Sequence, residues 1–294
     1  MTFSIIIPTY NRAHIIARTI RSVLGQSFAD FEIVVIDDGS TDGTGKEIAK
    51  IKDERIRYFF KTNEERSIAR NTGAEKASGR YLIFLDSDDL MAADHLSEID
   101  SYLGKHSYSP RFIFSGFAVR SPDGKLLYEH IQDGIFKKEK LLYGNHLGCS
   151  AVTVEAGLFR KHRFNTHPDL ILFEDWELWL RLLSDEPLHC LPNGTITMVN
   201  HNSRSVLTTP VKRFIRSVEH FLESAEKNIP MISASTRSRN TLAMGLHSYA
   251  ALHIAMSGHN KKTAIHYLRK ALAHDPRLLF RRRFAGIIKQ LILA

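Results

Sequence analysis

Asp86-Ser87-Asp88-Asp89 directly follows the apolar run Tyr81-Leu82-Ile83-Phe84-Leu85. Two carboxylates one residue apart at a strand end suit a hard cation. Mg2+ or Mn2+ takes one or two carboxylates and completes its shell with water and phosphate oxygens. Such an ion offsets the charge of a diphosphate leaving group. The same residues also make an ordinary acidic turn, and Asp-X-Asp alone decides little. A second acidic strand end, Asp37-Asp38-Gly39-Ser40, adds weight. A carboxylate there can accept from the N3–H of a pyrimidine, and Gly39 lets backbone approach closely, although Asp-Gly-Ser is also good turn chemistry. Pro8-Thr9-Tyr10-Asn11-Arg12 closes a third apolar run. Here Tyr10 can stack on a base, Thr9 hydrogen-bond it and Arg12 approach phosphate. Alternatively, Pro8 merely ends a strand and Asn11 caps the next helix.

Other chemistries lack their residues. Gly39…Gly43-Thr44-Gly45-Lys46 fails as a phosphate loop, because Ser40 stands where the first glycine belongs and Glu47 where Ser or Thr should be. No Gly-x-Gly-x-x-Gly follows the first strand, which removes support for a nicotinamide or flavin site. No His-Glu-x-x-His zinc pattern occurs among the 15 histidines.

The elements that must position these residues alternate. Phe3 to Ile7, Phe31 to Ile36, Ile56 to Phe60 and Tyr81 to Leu85 read as buried strands. Ala13 to Leu24, a segment from Thr41-Asp42 to Ile51, and Glu65 to Ala77 read as the intervening helices. Alternation predicts a mostly parallel sheet flanked by helices, with ligands beyond the carboxyl ends of its strands. All three candidate segments lie at such ends. Further on, Arg111 to Val119 and Ala151 to Val154 read as strands and Asp175 to Leu183 as a helix. From Pro210 the chain reads as helical, with Leu242 to Met256 and Thr263 to His274 forming an antiparallel pair. The expected division is an α/β domain over 1–208 and a helical, basic region over 209–294.

Four ordered segments, Ile5-Ile6-Ile7-Pro8-Thr9-Tyr10-Asn11-Arg12, Val35 to Asp42, Ala69-Arg70-Asn71-Thr72-Gly73 and Phe84 to Asp89, strongly resemble the family 2 glycosyltransferases of GT-A fold over about the first 90 residues. The resemblance implies an inverting enzyme that moves a sugar from a nucleoside diphosphate, usually UDP, to a hydroxyl in polysaccharide, lipid-linked glycan or glycoconjugate synthesis. It implies that Asp38 binds the base, that Arg70 and Asn71 lie beside the nucleotide or donor, and that Pro8, Thr9, Tyr10, Arg12 and Ser87 line the nucleotide-sugar. Asp88 becomes the main metal ligand, Asp86 a shared ribose or metal contact, and Asp89 a helix cap. Phe173-Glu174-Asp175-Trp176 is similar to the family's Glu-Asp motif, which makes Asp175 the catalytic base. Its place at a helix start agrees, since the helix dipole favours the ionised form. Glu174 and Trp176 become acceptor contacts, and Trp179 a core residue. His201, in Val199-Asn200-His201-Asn202, resembles a loop histidine that approaches metal or diphosphate in many members.

Composition is compatible with this. Of 294 residues, 43% are hydrophobic and 24% charged, enough for a sizeable core without disulfides. Cys149 and Cys190 fit no metal or redox spacing, and no apolar stretch is long enough to span a membrane, so a reduced cytoplasmic protein is expected. Fifteen Lys/Arg against four Asp/Glu follow Pro210, a net +11 of the total +8, which leaves −3 on residues 1–209. Arg281-Arg282-Arg283 beside Phe284, Ile287, Ile288, Leu291 and Ile292 suggests a basic amphipathic helix. It either lies on the inner face of a membrane, which suits a lipid-linked acceptor, or packs on the helical region or another subunit. Nucleic acid is a poor partner for a tail with few interleaved aromatics. Two competing readings are a sugar nucleotidyltransferase, which usually needs a Gly-rich basic loop absent here, and a non-catalytic nucleotide-sugar-binding module.

Overall fold

A computed structural model of the chain describes residues 1–200, 209–257 and 260–293. Its first part alternates β1 (Phe3–Thr9), α1 (Ile16–Leu24), β2 (Phe31–Asp37), α2 (Thr44–Ala49), β3 (Ile56–Phe60), α3 (Arg66–Lys76) and β4 (Tyr81–Phe84). Then come β5 (Leu90–Met91), α4 (His95–Lys105), β6 (Phe112–Phe114), β7 (Phe117–Arg120), β8 (Leu126–His130) and β9 (Gly134–Ile135). They are followed by α5 (Glu139–Tyr143), β10 (Val152–Glu155), α6 (Ala156–His162), α7 (Glu174–Asp185), β11 (His189–Cys190) and β12 (Ile196–Val199). The remainder is helical: α8 (Val211–Asn228), α9 (Pro230–Ser233), α10 (Thr236–Met256), α11 (Lys261–His274) and α12 (Arg282–Leu293).

The large sheet has the order β3-β2-β1-β4-β10-β6-β11-β9. Its first four strands are parallel, and β10 runs antiparallel to both β4 and β6. Ile5, Ile6 and Ile7 of β1 and Val34 and Val35 of β2 are fully buried, as β-branched runs in central parallel strands must be. Each such side chain contributes about 1.5–3 kcal/mol of burial. Register then decides what meets at the strand ends. Thr9 pairs with Asp37 and Asp37 with Phe60, so Tyr10, Asp38 and Lys61 leave one edge side by side. Helix α3 lies close on this sheet because a Cβ on Gly73 would come within 2.3 Å of Ile6 Cγ2. Only glycine permits that approach, which holds Arg70 and Asn71 near the sheet.

Some elements differ from expectation. Helix α1 begins at Ile16 and not Ala13, because Asn11 has φ +53° and the Ala13 N–H is taken by the Asp42 carboxylate at 3.0 Å. The strand expected over Arg111 to Val119 breaks at Ser115-Gly116, where Gly116 (φ +67°) passes the chain from the large sheet to a small one ordered β5-β12-β7-β8. Asp89 caps no helix, since β5 follows it and α4 starts only at His95.

The described residues form two compact units. Residues 1–136, 147–166 and 185–200 make the α/β unit; residues 137–146, 167–184 and 209 onward make the helical one. This division departs from a cut at 208, for a packing reason. Phe173 sets its ring 5.7 Å from Phe214 of α8, and Trp176 of α7 lies 5.4 Å from Phe221, so these aromatics draw α7 into the helical unit. Helices α10 and α11 pair as expected.

Burial has an electrostatic consequence in the helical unit. His247 of α10 is buried with no hydrogen-bond partner on Nδ1, and its ring stacks 5.2 Å from His274. Burial first, then the neighbouring His274, pushes its pKa from 6.5 down to about 4. The unfolded chain therefore binds a proton in that window that the folded chain refuses. Stability from this group is complete above pH 6.5 and is lost as pH falls toward 4, by up to about 3 kcal/mol. Urea midpoints measured across this range should fall with acidification, and His247→Leu should flatten the slope; an unchanged slope in the variant refutes the assignment.

Candidate active site

At the ends of β1, β2 and β3 the chain builds a braced, partly polar floor. Asp37 is structural: its carboxylate accepts the Ser40 N–H at 2.8 Å and the Tyr58 hydroxyl at 2.7 Å. Asp38 differs. Its Oδ1 accepts both the Lys61 ammonium at 2.5 Å and the Glu64 N–H at 3.1 Å, so Oδ2 is the oxygen left for a ligand donor. Burial disfavours charge on Lys61, but its bonds to Asp38 and Glu64 outweigh this and raise its pKa. Carboxylate oxygens accept hydrogen bonds from N–H and O–H donors. Gly39, at φ +85°, lies so near Asn63 that a Cβ would approach its backbone nitrogen to 2.9 Å. Thr9 is buried with its Oγ1 unpartnered, while Tyr10 is 48% exposed. Asn11 accepts the Thr41 N–H at 2.9 Å and donates its own N–H to Ser40 Oγ at 2.9 Å, stitching the β1 and β2 loops together. It thus braces a loop and does not cap α1. The backbone N–H of Arg12 is held by Thr44 Oγ1 at 2.8 Å.

Beyond β4 the acidic cluster divides into members of different type. Asp86 is half-exposed and accepts Arg70 Nη2 at 2.7 Å, and the Arg70 guanidinium, 2% exposed, lies 5.2 Å from the centre of the Phe164 ring. Asp88 is half-buried. Asp89 is buried, and its Oδ2 accepts Ser150 Oγ at 2.6 Å; the same Ser150 Oγ accepts the Asp86 N–H at 3.1 Å. Ser87 is buried, with its carbonyl accepting Thr19 Oγ1 at 2.8 Å. Asp86 and Asp88 therefore carry the two carboxylates that reach the surface. No group of three metal-ligating side chains gathers among the described residues. Two half-exposed carboxylates fit a cation whose other ligands are water and phosphate oxygens.

Asn71 is placed otherwise than expected. Its amide donates to Phe164 O at 2.9 Å and accepts the Phe164 N–H at 3.0 Å, so both ends are spent on main chain. His201 lies outside the described residues.

In the helical unit, α7 opens with three acids. Glu174 and Glu177 are buried, and Glu177 forms a paired bridge to Arg181 at 2.7 and 2.8 Å. Asp175 alone of the three is half-exposed. Its Oδ1 accepts the Trp176 N–H at 2.7 Å and its Oδ2 accepts Asn145 Nδ2 at 2.9 Å. These two donors hold the carboxylate in one orientation at the start of the helix. Trp176 is 2% exposed, with its indole N–H donating to Leu141 O at 2.8 Å. It fills the core, as Trp179 does, and so does not line an acceptor surface; Glu174 is likewise 4% exposed.

Residues 4–161 match the model of glycosyl transferase family 2. The chain belongs to this family. It is a glycosyltransferase of mixed α/β architecture with a C-terminal helical region. Over 209 residues it is 32% identical to the UDP-Glc:alpha-D-GlcNAc-diphosphoundecaprenol beta-1,3-glucosyltransferase WfgD of Escherichia coli, covering 70% of this chain and 79% of that protein. Matches to three Rickettsia glycosyltransferases span only 26% to 35% of those longer proteins. Among solved structures, S. aureus TarS 1-349 in complex with UDP-GlcNAc superposes with a TM-score of 0.68 at 17% identity, covering 99% of this chain and 89% of that one. The mannosyltransferase PcManGT of Pyrobaculum calidifontis, in complex with GDP-Man and Mn2+, gives 0.59 at 17% identity, over 99% and 86% of the two chains. Family membership disfavours the nucleotidyltransferase and binding-module readings.

Two residues of this glycosyltransferase escaped the sequence reading. Lys61 carried a usable signal, since it stands directly after β3 at the same sheet edge as Asp38. Ser150 carried none: it reaches Asp86 and Asp89 across more than 60 residues of chain.

Proposed function

We propose that this glycosyltransferase moves a hexosyl or N-acetylhexosaminyl group, with inversion, from a UDP-sugar to a hydroxyl of a lipid-linked glycan. The observation that carries the donor assignment is Asp38. A carboxylate anchored by Lys61 through one oxygen offers the other as an acceptor, which matches the N3–H of uracil and mismatches the bare N3 of cytosine. Tyr10, exposed beside it, supplies a stacking face, and Thr9 Oγ1 an unspent polar group. Pro8, Arg12, Arg70 and Ser87 complete the donor side, with Asn71 acting through the Phe164 backbone. Asp88, with Asp86 and His201, would hold Mg2+ or Mn2+, which when bound offsets charge on the leaving diphosphate. Asp175 takes the proton of the acceptor hydroxyl as that oxygen attacks C1 of the sugar from the face opposite the nucleotide. The lipid-linked acceptor rests on the relation to WfgD, and such an acceptor suits a reaction at the inner face of a membrane.

A thermal-shift panel of UDP-, GDP- and CDP-sugars with Mg2+, Mn2+ or chelator tests the donor reading. Ligand at a hundred times its Kd adds about 2.7 kcal/mol of stability. UDP-sugars with metal should raise Tm, and chelator should abolish the rise. Stabilisation by GDP- or CDP-sugars in place of UDP-sugars refutes the proposal.

A further inference from the structure

Helix α12 packs one face on the helical unit and leaves another exposed. Ile287 and Leu291 point inward and are buried. The helix is locked in that rotation by Arg283, whose Nη1 donates to Tyr143 O at 2.9 Å, Gly245 O at 3.1 Å and Ser248 Oγ at 3.1 Å. Phe284, Ile288 and Ile292 recur every four residues, and so share a different stripe of the helix. With Ala285, Lys289 and Leu293 they line an open recess of about 470 Å³. Ile292 is 76% exposed, Leu293 71%, and Phe280, just before the helix, 91%. Apolar exposure of this size on adjacent side chains marks an interaction surface.

Charge selects the occupant. From Pro276 to Leu293 the sequence holds five Lys/Arg and no Asp or Glu. Arg277 is neutralised by Asp275, and Arg283 is turned inward. Arg281, Arg282 and Lys289 are exposed around the apolar stripe. A second copy of the same face would set these cations against their own kind, whereas an anionic leaflet answers them. An apolar stripe edged with cations lies in the plane of such a surface, with its hydrophobic side at the headgroup–acyl boundary.

We propose that the α12 face, centred on Phe280, Phe284, Ile288 and Ile292, docks this protein on an anionic phospholipid surface. The docking stands on the helix itself and does not depend on which donor or acceptor the enzyme uses. The experiment is co-sedimentation of the full chain with vesicles containing phosphatidylglycerol, compared with pure phosphatidylcholine. The wild type should bind the anionic vesicles at least about tenfold more tightly, with binding that weakens as salt rises. Phe280→Ser with Ile292→Ser should lower that binding about tenfold or more without changing Tm, since both side chains are largely exposed. Arg282→Gln with Lys289→Gln should remove the preference for the anionic lipid. Absence of vesicle binding by the wild type overturns the proposal. So does equal binding by the serine variant, or a dimer in solution that the serine changes dissolve. UDP-sugar stabilisation without lipid is read separately, so loss of the donor reading leaves this result intact.

Discussion

Asp88→Ala is expected to lower transfer about a thousandfold and to make donor binding insensitive to chelator. Stabilisation of a leaving diphosphate by a cation supplies several kcal/mol, and each 1.36 kcal/mol is tenfold in rate. Asp88 is half-buried at the end of β4, where a small replacement does little to the core. Its neighbour gives the contrast. Asp89 is buried against Ser150, so Asp89→Ala should show first as lost stability, with a buried hydroxyl left short of its acceptor. Steady-state rates with Mg2+ titrated, together with thermal melts, separate the two. Unchanged metal dependence in Asp88→Ala would remove Asp88 from the proposed metal site and leave Asp86 to carry it.

The second large effect belongs to Asp175→Asn. General-base catalysis contributes about 10²–10⁴ in rate, so transfer should fall by about a thousandfold while UDP-sugar affinity stays within about twofold. Asparagine keeps the size of the side chain but cannot take a proton at neutral pH. Because Trp176 N–H and Asn145 Nδ2 hold the wild-type carboxylate in place, Asn145→Ala should lower kcat less than Asp175→Asn does. Paired kinetics and nucleotide titrations check both. Normal turnover by Asp175→Asn would take away its role as base.

How much of this was legible in the chain depends on the range over which each feature is decided. The strands β1 to β4 and the helices between them are local matters. Runs such as Ile5-Ile6-Ile7 and Val34-Val35, stopped by Pro8 or by an Asp-Asp-Gly turn, satisfy a buried parallel strand whatever lies elsewhere. Since ligands sit at the carboxyl ends of such strands, the positions of Tyr10, Asp38, Asp86 and Asp88 at one sheet edge also followed from sequence. The second half was harder because it changes rule: β10 runs antiparallel, Gly116 transfers the chain between two sheets, and the strands shorten to a few residues.

Within the acidic cluster, the sequence by itself determined that paired carboxylates stand directly after β4, and the family resemblance named Asp88 first as their expected cation ligand. Only the tertiary structure decided how its members differ. Asp86 is held by Arg70, Asp89 is consumed by Ser150, and Asp38 is oriented by Lys61. It likewise turned Asn71 and Trp176 inward and left Asp175 as the half-exposed acid of its helix turn. The reason is physical. A residue's type and its place on a strand or helix set which interactions it can make, but a carboxylate's remaining capacity depends on which donors the fold brings to it. Those donors come from segments tens of residues away, and no local pattern records them.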